Sequence, residues 1–157
     1  MKSYNKPIKV FLLTTALLGS SMAMGQTQKA AHYNLSGEQV AISGYDAVSY
    51  FKGKPAKGKS QHEFVYNGVT YQFANESNLK LFETDPEKYG PQYGGWCAYA
   101  MGKTGEKVEI NPKTYKIVDE KLYLFYNKFL TNTLETWNED EKNLKEKADK
   151  NWAQLIE

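Results

Sequence analysis

The run Glu63-Phe-Val-Tyr-Asn-Gly-Val-Thr-Tyr-Gln-Phe73 constrains this chain more than any other stretch. β-Branched and aromatic residues flank Asn67-Gly68, the dipeptide best suited to the two left-handed positions of a tight hairpin turn. A β-hairpin is therefore predicted here. Tyr115-Lys-Ile-Val118 and Lys121-Leu-Tyr-Leu-Phe-Tyr126, joined at Asp119-Glu120, predict a second one. Val40–Gly44 and Ala47–Phe51 read as short strands around Gly44-Tyr-Asp46, and the lysine-bearing stretch 53–60 reads as a solvated loop.

Between and after the hairpins the pattern turns helical. Asn75 is placed to cap a helix in which Leu79 and Phe82 share a face. Asp85-Pro86 starts a short turn, with Asp as cap and Pro at the first position. Trp96 to Met101 reads as a short helix ended by Gly102. From Lys128 onward, Leu130, Leu134, Trp137, Leu144, Ala148 and Leu155 form an apolar stripe suited to docking on a core. Asn138 with Glu141 three later marks a cap that divides this arm in two. The fold class is α+β: small antiparallel hairpins, short central helices and a C-terminal helical arm.

The first 25 residues stand apart. Lys2, Lys6 and Lys9 precede an apolar run of about ten residues and then Gly19-Ser-Ser-Met-Ala-Met-Gly25, the layout of a secretory signal peptide cut after Ala23 or Gly25. The expected organisation is a signal at 1–25, a flexible leader at 26–34, a domain at 35–127 and a helical extension at 128–157 packing on it. A periplasmic or secreted location follows, without stable membrane insertion after cleavage. Charge depends on that cut. All 20 basic residues are lysine, and removing the signal leaves 17 against 18 acids. A near-neutral chain with no arginine is poorly equipped to read phosphates, which argues against nucleic acid as a partner.

The stretch Pro91-Gln-Tyr-Gly-Gly-Trp-Cys-Ala-Tyr-Ala-Met101 holds the single cysteine, Cys97, which has no intrachain partner for a disulfide. A lone thiol in an oxidising compartment is buried, bound or paired between molecules. Three readings follow. In a soft-metal site, Cys97 and Met101, four apart on a helix, would offer thiolate and thioether to copper, with His62 as third ligand. In a thiol-dependent redox protein, a helix start would lower the Cys97 pKa, with His62 and Tyr99 or Asp46 as helpers. In the third reading Cys97 is core and the domain binds a ligand or partner without catalysis: Gly94-Gly95 serves a sharp turn or close packing, Tyr45, Tyr93, Trp96 and Tyr99 form an aromatic wall, and Tyr45-Asp46 is a turn with a capping carboxylate.

Gly44-Tyr-Asp-Ala-Val-Ser-Tyr-Phe51, Tyr71-Gln-Phe-Ala74, Asp85-Pro-Glu-Lys-Tyr89, Pro91-Gln-Tyr-Gly-Gly-Trp-Cys-Ala98, Lys121-Leu-Tyr-Leu-Phe-Tyr-Asn127 and Ala148-Asp-Lys-Asn-Trp152 resemble, in order, the exported single-domain branch of the YHS-domain proteins. The resemblance implies metal binding, copper in particular, because related domains sit in copper-transporting ATPases. One departure is plain. The metal-associated form has Phe-Cys-x-x-x-Cys where this chain has Phe73-Ala74-Asn-Glu-Ser-Asn78, so a site built on those two thiols is absent. The expected activity is non-catalytic binding of a small ligand or metal ion, or of another exported protein. Tyr45, Asp46, Tyr93, Trp96 and Tyr99 are the candidate ligand contacts.

Overall fold

The computed structural model describes residues 30–157. The expected signal, and residues 26–29 of the expected leader, lie outside the described residues. Both hairpins form. Strands β3 (Lys59–Tyr66) and β4 (Val69–Phe73) pair antiparallel, with Phe64 opposite Tyr71 and Tyr66 opposite Val69. Asn67 (φ 51°) and Gly68 (φ 78°) take the left-handed turn positions. Two short strands, β1 (Leu35–Ser36) and β2 (Val40–Ala41), extend this sheet in the order β1-β2-β4-β3, with β2 parallel to β4. The second hairpin pairs β5 (Asn111–Val118) with β6 (Lys121–Phe125), and Asp119 and Glu120 are both left-handed.

Strand β6 is the wall between two cores. Because side chains alternate across a strand, Leu122 and Leu124 enter a cluster with Val48, Tyr50, Phe73, Phe82 and Cys97. Tyr123 and Phe125 enter a second cluster with Met101, Trp137, Leu144 and Ala148. In the first cluster Phe82 is the hub, with ring centroids 4.5 Å from Tyr71 and 5.1 Å from Phe73. Such pairs add about 0.5–1.5 kcal/mol each beyond their buried area.

Ala47–Phe51 is a helix, α1, and not a strand. The reason is the residue before it. Asp46 Oδ1 accepts from the backbone N–H groups of Val48 (2.9 Å) and Ser49 (3.2 Å), an N-cap that outweighs the strand preference of Val-Ser-Tyr-Phe. The preceding strand β2 stops after two residues, because Ile42 and Ser43 turn left-handed.

Helix α2 (Glu76–Thr84) begins at Asn75 as expected, its side chain accepting from Asn78 N, and α3 (Pro86–Tyr89) begins at Asp85. Helix α4 spans Ala98–Lys103. Gly102 does not end it. That glycine is buried inside the helix, where a Cβ would run into the Leu144 carbonyl. Its absence lets the long C-terminal helix lie against α4.

The C-terminal arm also differs from its stripe. Asn127–Lys128 (β7) and Thr131–Asn132 (β8) make a third small hairpin before α5 (Thr133–Glu139) and α6 (Glu141–Ile156). Leu130 leaves the stripe: with Phe129 it forms the left-handed tip, and both side chains stand in solvent. The arm does divide in two, but at Asp140 instead of Asn138. No described helix is long and apolar enough to cross a membrane.

Residues 30–34, expected to be loose, are held. The Trp96 indole N–H donates to the His32 carbonyl (2.7 Å), and Asn34 N donates to the Gly94 carbonyl (2.8 Å). Ala30 is buried in the first core.

Candidate functional site

Cys97 sits at the N-cap of α4 with extended backbone angles, φ −60° and ψ 116°. The rule that residues four apart share a helix face therefore does not reach it. Cys97 enters the first core and Met101 the second, and both are fully buried. His62 lies on β3, its ring beside Gln61 (3.5 Å). No hydrogen bond among the described residues links it to Cys97. The described residues hold no group of three His, Cys, Asp or Glu placed to share a metal ion.

The thiol is instead satisfied where it stands. Cys97 Sγ accepts from Tyr126 N at 3.3 Å and lies 3.4 Å from Thr133 Oγ1. Thr133 donates its one hydroxyl hydrogen to the Tyr126 carbonyl (2.9 Å), so the Cys97 S–H is the donor toward Thr133. A fully buried thiol hydrogen-bonded on both sides, with no imidazole or carboxylate bonded to it among the described residues, has neither the base nor the exposure of a nucleophile.

The five candidate ligand contacts do not form one wall. Tyr45 lies under the Lys57 ammonium, 4.7 Å from ring centroid to Nζ. Asp46 is a buried structural carboxylate: besides capping α1, its Oδ2 accepts from Ala74 N (2.9 Å) and Asn78 Nδ2 (2.6 Å). Trp96 is tied to His32, and Tyr99 packs half-buried against both cores. Tyr93 alone borders an open cleft, with its hydroxyl donating to Asp149 at 2.9 Å. Burial, and then that bond to Asp149, push the Tyr93 pKa well up.

That cleft, of about 220 Å³, lies between the end of the first hairpin, α3, the loop 91–94 and α6. Tyr66 and Tyr71 reach it from β3 and β4, Glu87 from α3, Tyr33 from the N-terminal segment and Trp152 from α6. Gly94 explains how the far ends meet. At φ +59° its α-carbon is so enclosed that a Cβ would lie 2.8 Å from the Trp152 ring and 3.1 Å from Tyr33 Cα. Tyr33 and Trp152 then pack edge to face at 6.2 Å. Tyr93, one residue earlier, is also left-handed (φ 53°), an unfavourable conformation for a tyrosine that the surrounding contacts hold in place.

The Tyr33 and Tyr71 phenols stay protonated at neutral pH. Burial, then the neighbouring Tyr66 and Glu87, raise the Tyr33 pKa; burial dominates the larger rise at Tyr71. The wider depression along α2, from Glu76 to Thr84, is one exposed helix face crossed by the Glu76–Lys80 ion pair, and it encloses nothing.

The first hairpin, α1 to α3 and the loop up to Tyr93 together form the segment that decides kinship: residues 47–93 match the YHS-domain family model. That segment is similar to a YHS domain. No curated protein and no solved structure matches the chain. The YHS segment supplies Tyr66, Tyr71, Glu87 and Tyr93 to the cleft, while Tyr33, Gly94 and Trp152 come from outside it.

Of the cleft's residues, the sequence pointed only to Tyr93 and the neighbouring Gly94. Tyr66 and Tyr71 were within reach, because the Asn67-Gly68 turn puts both on the inward face of one hairpin. Tyr33 and Trp152 carry no such signal, since their meeting depends on the tertiary packing around Gly94.

Proposed function

We propose that this protein is an exported, non-catalytic binding module, and that the cleft completed on the YHS-like segment by Tyr33 and Trp152 is its ligand site. Export rests on the signal-like pattern of residues 1–25. The observation that carries the binding reading is the cleft itself: aromatic and polar side chains from four separate segments converge on one open hollow. Its accessible lining is more polar than apolar, so a ligand there would be held by hydrogen bonds and charge as well as by the aromatic rings. Non-catalysis fits the dispersal of the reactive groups, with Cys97 enclosed by Tyr126 and Thr133 and the rings of His32 and His62 beside Lys107 and Gln61.

Copper or another soft metal is the competing ligand that the likeness to a YHS domain brings to mind. To bind it, Cys97 would have to leave both hydrogen-bond partners and Met101 would have to leave the second core.

A two-dimensional NMR screen of small polar compounds and of Cu(I) separates the two. Saturable shifts centred on Tyr33, Gly94 and Trp152 are expected. Tight Cu(I) binding that disappears in Cys97→Ser would overturn the cleft reading in favour of the metal.

A further inference from the structure

We propose that the cleft recognises an organic ammonium cation, an inference that rests on the cleft being the ligand site. Three independent features point there. The first is a hydroxyl open to the cleft. Tyr71 is only 3% exposed, its hydroxyl borders the cleft, and it makes no hydrogen bond to any described residue. The hydroxyl is not among the buried atoms left without a partner, so it opens to the cleft, where it can exchange a hydrogen bond with a ligand's polar atom or its hydration water.

The second is charge. Among the described residues Glu87 is the one acidic side chain bordering the cleft and no basic one does, since the adjacent Lys88 turns away to Glu120 (3.4 Å). Tyr66 donates to Glu87 at a long 3.5 Å, which leaves most of that carboxylate's acceptor capacity free. A hollow with one carboxylate and no resident cation repels anions and attracts a positive group.

The third is the wall. Tyr33, Tyr66, Tyr71 and Trp152 surround the hollow, and their rings carry negative π faces that draw quaternary and methylated ammonium groups. At about 220 Å³ the space suits a head group of choline size better than a folded partner.

Titration with choline chloride, followed by amide and indole NMR shifts, tests this against its neutral isostere 3,3-dimethylbutan-1-ol. Choline should give saturable shifts at Gly90, Gln92, Gly94 and the Trp152 indole, with Kd on the order of a millimolar. Glu87→Gln should weaken choline about fivefold without changing the melting temperature, because the side chain is exposed and holds no fold contact beyond the long Tyr66 bond. Tyr71→Phe, which keeps the ring and removes only the unpaired hydroxyl, should weaken it as well.

Equal affinity for the neutral isostere at the same residues would keep the cleft as a binding site and overturn the cation. Full choline affinity in Glu87→Gln, or no saturable shift with choline, would also overturn the cation, while the screen of small polar compounds still judges the cleft.

Discussion

The carboxylate of Asp46 and the side-chain amide of Asn78 meet at 2.6 Å inside the protein and join the start of α1 to the first turn of α2. Asp46 answers four donors in all: Val48 N and Ser49 N on one oxygen, Ala74 N and Asn78 Nδ2 on the other. Asp46→Ala would strand them in a site with no access to water. It should destabilise the fold by at least about 3 kcal/mol, the sum of a lost cap and several unanswered buried donors. Chemical denaturation measures this; a loss under about 1 kcal/mol would show that water takes the place of the carboxylate.

Gly102 predicts a reversal of sign. Glycine to alanine inside a helix normally stabilises by about 1 kcal/mol. Here the new methyl would meet the Leu144 carbonyl, which is backbone and cannot rotate aside. Gly102→Ala should instead lower stability by about 1–3 kcal/mol as α4 and α6 are forced apart. A raised melting temperature would mean the two helices separate freely.

Cys97 should behave as core. In the folded protein it should resist an alkylating reagent for as long as the domain stays closed, and react fully once denatured. Cys97→Ala, which removes both sulfur hydrogen bonds and leaves a small void, should cost about 1–2 kcal/mol and leave ligand binding unchanged. Rapid stoichiometric labelling of the native state would contradict the enclosure by Tyr126 and Thr133.

The tip of the third hairpin should accept improvement. Phe129 and Leu130 occupy left-handed positions at φ 51° and 67°, and both side chains are 90% or more exposed. Asn and Gly fit those positions far better. The double change Phe129→Asn with Leu130→Gly should raise the melting temperature by a few degrees, since no buried area is lost. A drop would show that the two apolar side chains are covered in solution.

The hairpins were legible because their signals are local: alternation along β3 and β4, with left-handed residues in the turn. Helix α1 was not, because Val-Ser-Tyr-Phe favours a strand until the Asp46 carboxylate is satisfied, partly by Ala74 and Asn78 from far along the chain. The pairing of Cys97 with Met101 failed for a related reason. An N-cap residue breaks helical periodicity, and β6 then separates the two side chains into different cores. The candidate site was the least legible part. Its residues come from positions 33, 66, 71, 87 and 152, and no spacing relates them before the chain folds.

The enclosure of Gly94 by Tyr33 on one side and Trp152 on the other has a consequence for the order of assembly. A chain emerging N-terminus first can form the hairpin around Asn67-Gly68 early, because that pairing is local. The hollow beside that hairpin lacks a side until α6 arrives. A half-made molecule thus lacks the hollow altogether, and the proposed site closes in a single late step.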